Sequence, residues 1–281
     1  MSQTKNIITD ILKCPVCSEG MYVSETGKSL YCNGKKRHCF DFSSDGYVNL
    51  AMRPSGDSKE AVNARKSFLS KDYYLPLAEK ICEIVREYAP KGIFIDAGCG
   101  EGYYTNKLAK DASAVLGFDL SKFGVASASK SARREGLDNT FYATASVFEL
   151  PVVSESCDCV VNIFAPCAPE EYTRVLKDGG VLVVVGAGKS HLMGLKEVIY
   201  EHTYENGDRA DLPKATPVEQ INLGYEIEVE GKENIQNLFS MTPYYWRTSE
   251  SDREKLTLTD TLKTYVEFEL YIYKKESKGL I

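Results

Sequence analysis

The segment Phe94-Ile95-Asp96-Ala97-Gly98-Cys99-Gly100-Glu101-Gly102-Tyr103-Tyr104 constrains this chain more than any other. A short apolar run ends in an acidic residue, and a glycine-rich turn then opens a helical pattern. Glycines at such a turn let the backbone approach a ligand closely, and the free N–H groups of a helix N-terminus face an anionic group. About 20 residues on, Ala114-Val115-Leu116-Gly117-Phe118 reads as a second strand ending in Asp119, an acid at the spacing that suits the two hydroxyls of an adenosine ribose. Two strands, a turn and an acid in this order predict a nucleoside crevice.

The rest of the chain continues the same grammar. Helical periodicity covers 78–88, 105–110, 125–135 and 169–176, and continuous apolar runs at 93–95, 159–164 and 180–185 read as strands buried on both faces. Strands alternating with helices predict a parallel sheet covered on both sides. The stretch 265–273 alternates in period two, as a strand near the sheet edge does. With 43% apolar and 26% charged residues over 281 positions, the chain has the make-up of an ordinary globular protein with room for one large α/β domain and a small accessory unit. No apolar stretch approaches the ~20 residues of a membrane span, and the opening residues lack the apolar core of a signal peptide. Nine cysteines in such a chain point to thiols and metal ligation rather than a disulfide framework, so the cytoplasm is the expected compartment.

The first 50 residues form a distinct unit. Cys14-Pro15-Val16-Cys17 is a knuckle whose tight turn aims two thiolates at one ion, and Cys32, His38 and Cys39 follow. Zinc takes four N/S ligands in a tetrahedron, and a segment this short has too little core to fold without such help. Cys14, Cys17 and Cys32 are the expected ligands, with the fourth place between the adjacent His38 and Cys39. Residues 51–75 read as a polar linker, with a turn at 54–57 and a helical stretch at 61–69. Residues 1–75 hold 11 Lys and Arg against 8 Asp and Glu, a net +3, while residues 76–281 hold 23 against 32, a net −9. A basic head on an acidic body suits a head that finds phosphate.

The spelling D-x-G-C-G-E-G departs from the dinucleotide form G-x-G-x-x-G and resembles motif I of the class I methyltransferases. That resemblance implies S-adenosylmethionine as the ligand and a Rossmann-like, mostly parallel seven-stranded sheet behind the small N-terminal zinc ribbon. Over essentially its whole length the chain also resembles the bacterial 23S rRNA (guanine-N(1))-methyltransferases. The residues that carry this lie well outside motif I: Asp45-Gly46-Tyr47-Val48-Asn49-Leu50, Gly56-Asp57-Ser58, Ala64-Arg65, Phe68-Leu69, Tyr74-Leu75-Pro76-Leu77, Ala165-Pro166-Cys167, His191-Leu192-Met193, Met241-Thr242-Pro243 and Trp246-Arg247. One departure concerns the metal: the family places its ligand His about three residues beyond the third Cys, whereas five residues separate Cys32 from His38 here. His38 keeps the family's x-Phe-Asp context, which favours it over Cys39.

The resemblance implies a zinc-binding RNA-recognition domain at 1–50, a linker contributing to the active site at 51–75, and a methyltransferase domain at 76–281. It brings Tyr74 and His191 to the methionine part of the cofactor, beside Asp96, Gly98, Gly100, Glu101, Gly102, Asp119 and Leu120, with the adenine near Ala145-Ser146. The implied partner is a hairpin of 23S ribosomal RNA, with no membrane and with a homodimer as an open alternative to a monomer. Guanine N(1) carries a proton and is a poor nucleophile until it is removed, so the site needs a base or a group that stabilises charge on O6. Phe164 is placed to stack on an extruded guanine and freed carbonyls near Pro166 to bond its edge. Asp57 and Asp45 are the candidate bases, ahead of Glu170 and Glu171 at a helix N-terminus. Lys35, Lys36, Arg37, Arg53, Arg65, Lys66 and Lys71, with Tyr31, Tyr47 and Phe68 nearby, are the expected RNA contacts. Two other readings stand beside this one: a methyltransferase of another RNA or a small molecule, and a non-catalytic zinc RNA-binding protein.

Overall fold

The computed structural model describes residues 3–53, 55–200 and 215–277, with side chains from residue 7; Pro54 of the expected 54–57 turn lies outside them. The chain runs α1 (Gln3–Ile11), β1 (Met21–Val23), β2 (Ser29–Cys32), β3 (Cys39–Asp41), β4 (Val48–Asn49), α2 (Lys59–Leu69) and α3 (Leu75–Tyr88). It continues β5 (Ile93–Ala97), α4 (Tyr103–Leu108), β6 (Ala114–Asp119), α5 (Lys122–Arg134), β7 (Thr140–Thr144), β8 (Cys157–Ile163), α6 (Pro169–Val175) and β9 (Leu176–Ala187). After α7 (Met193–Ile199) come β10 (Ala215–Glu230), α8 (Lys232–Ser240), a 3-10 turn (Pro243–Trp246), α9 (Glu250–Thr257) and β11 (Thr261–Lys275).

Among the described residues β1, β2 and β3 form a small antiparallel sheet, and the main sheet has eight strands in the order β10-β11-β9-β8-β5-β6-β7-β4. From β9 to β4 all neighbours are parallel, and the long hairpin β10–β11 joins β9 antiparallel. The expected seven strands are β5–β11; the eighth, β4, is contributed by the N-terminal unit. Its two residues pair with Ala143 and Thr144, too short a run to show as periodicity in the sequence.

Period two along each strand sorts the apolar residues into two cores. Phe94, Val115, Cys159, Val161, Val183, Val185 and Phe268 face one side, under Leu77, Ile81 and Val85 of α3, Phe68 of α2 and Phe239 of α8. Ile95, Leu116, Phe118, Val160, Leu182 and Val184 face the other, under Tyr172 and Val175 of α6. The zinc unit belongs to this second core: Ile8, Ile11, Leu12, Cys14, Met21, Leu30 and Cys32 pack into it. Backbone bonds from Lys13 N to the Pro151 carbonyl (3.0 Å) and from Val153 N to the Ile11 carbonyl (2.8 Å) stitch it down. Residues 1–50 are therefore in packing a cover for one face of the sheet.

Phe268 is fully buried in the first core and its ring meets Tyr74, Phe164, His191 and Tyr225 edge-on or tilted at centroid distances of 4.9–6.0 Å. Truncating a buried phenylalanine removes its transfer energy and leaves a cavity. Phe268→Ala should cost about 3–5 kcal/mol of stability, read from the urea midpoint at unchanged m-value.

Candidate functional site

In the zinc unit, the sulfurs of Cys14, Cys17 and Cys32 and Nδ1 of His38 all lie within 4.8 Å of one another. Cys14 and Cys32 sulfurs are each 3.5 Å from His38 Nδ1, and the Cys17 and Cys32 sulfurs are 3.7 Å apart. A tetrahedron built on Zn–S of about 2.3 Å and Zn–N of about 2.0 Å has edges of roughly 3.8 and 3.5 Å. The donor set thus fits one zinc ion, held by these four side chains. Two amides support it, Val16 N to the Cys14 sulfur at 3.4 Å and His38 N to the Cys32 sulfur at 3.1 Å. Cys39 is exposed, and its thiol lies 3.7 Å from Asp41 instead.

A cavity of about 600 Å³ opens at the carboxyl ends of β5, β6 and β8. Its floor is the glycine turn. Gly98 has φ +96°, and a Cβ there would overlap that of Ala165. Its amide and that of Cys99 both donate to the Phe118 carbonyl, at 2.8 and 3.0 Å, which locks the turn onto β6. Asp119 accepts from Gly100 N at 3.0 Å and from Ser121 N at 2.7 Å, so both carboxylate oxygens are oriented before any ligand arrives. Burial pushes the Asp119 carboxyl up, with those amides opposing.

Not every expected cofactor residue lines this space. Gly98, Gly100, Glu101, Asp119, Leu120, Tyr74 and His191 do, while Asp96, Gly102 and Ser146 do not. Asp96 lies beneath the turn, 2% exposed, accepting from Thr105 Oγ1 at 2.5 Å; burial raises its carboxyl to about 7. Gly102 has φ +85° as the N-cap of α4, and a Cβ would stand 2.6 Å from that of Ala128 on α5, so its glycine is needed for helix packing. The Ser146 hydroxyl accepts from Phe148 N at 3.2 Å, and its neighbours Ala145, Val147 and Phe148 form the wall instead.

Tyr74 and His191, 117 positions apart in sequence, meet with the phenol oxygen 3.4 Å from Nε2. His191 Nδ1 accepts the backbone N–H of Glu267 at 3.1 Å, which fixes the tautomer: the proton sits on Nε2, pointing to the Tyr74 oxygen. Burial lowers the imidazole to about 4, so it is neutral at physiological pH. The Tyr74 hydroxyl therefore accepts from His191 and keeps its own proton to donate into the cavity. Tyr104 lines the cavity too, with a buried hydroxyl lacking a hydrogen-bond partner, and one oxygen of the buried Glu101, Oε2, also lacks one. Unsatisfied buried polar atoms are rare in a finished interior. The Tyr104 hydroxyl as a donor and Glu101 Oε2, whose ion-pair partner Arg65 stands 3.5 Å away, together suit the carboxylate and ammonium of an amino-acid moiety.

Beside His191 at the cavity, Phe164 follows β8 with φ +52°, half exposed, its ring 6.1 Å from that of the histidine. A phenylalanine in the left-handed region is strained, and such strain gathers at functional sites. Pro166 lines the cavity as expected, while its own carbonyl accepts from Asn162 Nδ2 at 3.2 Å and from the Tyr172 hydroxyl at 3.1 Å and so is turned inward. Of the candidate bases, Asp57 lines the cavity and is paired with Arg65. Asp45 is drawn off to α5, with its carbonyl on Ser129 Oγ at 2.8 Å and its carboxylate 3.1 Å from Lys130. Neither Glu170 nor Glu171 lines the cavity.

The basic residues divide. Lys35, Lys36 and Arg37 are exposed on the zinc unit, with Arg37 bonded to the Tyr22 hydroxyl and its guanidinium 5.6 Å from the Tyr31 ring centre. Arg65 lines the cavity, where it faces Glu101 at 3.5 Å and Asp57. Lys66 bonds Ser127 on α5 at 3.0 Å. Sequence reasoning misses Leu69, Met241, Thr242 and Tyr244 as lining residues; the last three stand far along the chain, and only packing brings them here.

A mostly parallel sheet with a glycine turn, an acid oriented by two amides at the end of the next strand and an aromatic-rimmed cavity at its carboxyl ends has the architecture of a class I S-adenosylmethionine-dependent methyltransferase. A family model described as a methyltransferase domain matches residues 90–240, and a second, described as RlmA, N-terminal, with a zinc ribbon, matches residues 12–52. The 23S rRNA (guanine(748)-N(1))-methyltransferase of Streptomyces fradiae is 32% identical over 206 residues, 69% of each chain. YxjB of Bacillus subtilis (strain 168), named for 23S rRNA (guanine-N(1)-) methylation, is 29% identical over 90% of this chain and 92% of its own. A similarly named protein of Micromonospora griseorubida is 27% identical over 84% of this chain and 87% of its own. The chain belongs to the 23S rRNA (guanine-N(1))-methyltransferase family.

Two measurements probe the two centres. Metal analysis should find about one zinc ion per chain, and its removal by a chelator should lower the melting temperature of the whole chain in a single transition. A melt unchanged by chelation would contradict the shared core. For His191, the folded value of about 4 lies below the unfolded value near 6.5. The unfolded chain then binds more protons between those limits, so stability is full above about pH 6.5 and is lost as pH falls towards 4, by up to about 3 kcal/mol. Comparing wild type with His191→Gln, that slope should disappear in the variant.

Proposed function

We propose that the chain transfers a methyl group to N(1) of a guanine in a hairpin of 23S ribosomal RNA, with S-adenosylmethionine held along Gly98–Glu101 and Asp119. The observation that carries this reading is Phe164, an exposed aromatic in left-handed backbone at the mouth of a nucleoside-sized cavity, beside a neutral histidine. S-adenosylmethionine supplies a methyl on a sulfonium, open to in-line displacement. The protein's work is then alignment, which can provide much of the acceleration. Asp119 receives the ribose hydroxyls, Glu101 the ammonium, and the Tyr74 and Tyr104 hydroxyls the carboxylate. Phe164 stacks on the extruded guanine.

Removal of the N(1) proton falls to Asp57. His191 cannot take it, because Nε2 already carries a proton and Nδ1 is engaged by Glu267. Glu101 and Asp119 are committed to the cofactor, which leaves Asp57 among the carboxylates of the lining. The relatives' names support the RNA base as substrate, and the exposed Lys35-Lys36-Arg37 face of the zinc unit supports recognition of a folded RNA. None of the nine cysteines is in a disulfide, which supports a reducing compartment such as the cytoplasm.

N(1) methylation blocks base pairing, so reverse transcription of 23S RNA treated with protein and S-adenosylmethionine should stop one nucleotide before a single guanine of a hairpin. Asp57→Asn should lower the single-turnover rate by about 10²–10⁴ with little change in cofactor affinity. Asp119→Ala should weaken cofactor binding by roughly 1.5–3 kcal/mol in calorimetry. Stops absent from every hairpin of the RNA would overturn the substrate assignment.

A further inference from the structure

Arg65 is the feature of the cavity that the proposed reaction does not use. It stands on α2, in the linker, yet lines the cofactor space with His191 as the other residue of basic type there, and His191 is neutral. Its NH1 is 3.5 Å from Glu101 Oε2 and its NH2 meets Asp57 Oδ2. NH1 also overlies Gly100, 3.2 Å from where a Cβ would stand. The linker is pinned to the cradle a second time, where the Ser121 hydroxyl donates to the Asp57 carbonyl at 2.7 Å. The 57–65 segment thus spans from the end of β6 to the glycine turn as a strap.

We infer that Arg65 is a positioning residue for the cofactor: it closes the linker strap over the glycine turn and holds the buried Glu101 carboxylate ionised and aimed at the cofactor ammonium. The inference rests on the reading that Glu101 receives that ammonium. Glu101 is 6% exposed, and its Oε2 lacks a hydrogen bond although it faces Arg65. A carboxylate buried so deeply protonates readily unless a cation opposes it. Burial indeed pushes the Glu101 carboxyl up, and Arg65 is the strongest influence in the other direction. The remaining neighbours offer little replacement. Asp119, Asp96 and Asp57 are acids and Tyr104 and Cys99 are held neutral by burial; Lys66, bonded to Ser127, and the Glu101 backbone amide act in the same direction as Arg65 but less strongly. Arg65 itself is lowered by burial but raised more by Glu101 and Asp57, so it stays charged.

Without the guanidinium, Glu101 takes up a proton at a higher pH, and a protonated carboxyl cannot pair with an ammonium. Cofactor affinity of an Arg65→Met variant should therefore fall more steeply than that of wild type as pH is lowered. The cofactor's own amine titrates identically for every variant, so the ratio of variant to wild-type dissociation constants is the quantity to follow.

The test is calorimetric titration of S-adenosylmethionine into the whole zinc-loaded chain between about pH 7.5 and pH 6.0, for wild type and Arg65→Met, Arg65→Gln, Arg65→Lys and Glu101→Gln. The expected result is a ratio for Arg65→Met and Arg65→Gln that grows roughly fivefold across that interval, with Arg65→Lys close to wild type. Having two neutral variants keeps the test decisive if one of them fails to fold. A ratio that is flat with pH in the neutral variants, with Glu101→Gln weakened, overturns the role given to Arg65. Wild-type affinity in Glu101→Gln overturns instead the placement of the ammonium on Glu101, a distinct result.

Discussion

A parallel sheet must be covered on both faces, and here the second face has few helices to cover it. β5, β6 and β8 present Ile95, Leu116, Phe118 and Val160 on that side, and α6 covers only part of them. The zinc unit supplies the rest, laying α1 and the β1–β3 sheet over the same apolar surface and adding β4 to the sheet edge. A unit with so few residues has no adequate core of its own. Cys14 and Cys32, both fully buried, are at once metal ligands and members of the shared core. The metal-ligand cysteines, the cover of the sheet and the strand that ends in Asp119 in this way share one core.

Charge in the cavity follows from where the strands end. Asp57, Glu101 and Asp119 bring three carboxylates to the lining against one guanidinium, with the histidine neutral. An excess of negative charge suits a ligand that carries a sulfonium and an ammonium against a single carboxylate. Each acid is prepared in advance: Asp119 by two backbone amides, Glu101 and Asp57 by Arg65. Preorganisation of this kind removes ordering cost from the binding step.

Features that depend on near neighbours alone are legible in the sequence. The glycine turn follows directly on Asp96, and Asp119 closes the next apolar run, so adjacency and spacing are enough to find both. The buried strands announce themselves by continuous apolar runs. Residues placed by long-range packing are harder to read. Arg65 looks like one more cation of a basic linker, since nothing in its neighbours tells that α2 turns it inward towards Glu101. Pro166 belongs at the strand end as expected, but the direction of its carbonyl depends on Asn162 and Tyr172, which compete for it from inside. Gly102 carries a motif position whose need is set by Ala128 on a different helix. Strand β4 is hidden because two residues have no period.

The antiparallel end of the sheet gives the site its last degree of order. β11 pairs with β9 and places Phe268 and Glu267 on successive positions, one facing each side of the strand. Phe268 packs beneath Tyr74, His191 and Phe164. The Glu267 amide fixes the His191 tautomer, while its carboxylate accepts from Ser190 N at 2.6 Å and its carbonyl from Gly188 N at 2.8 Å. Two residues of strand thus set the ring, the proton and the loop that carries them. The strained Phe164 can persist because these contacts over-determine its surroundings. The long β10–β11 hairpin, remote from motif I in sequence, is what holds Phe164, His191 and Tyr74 in register with one another.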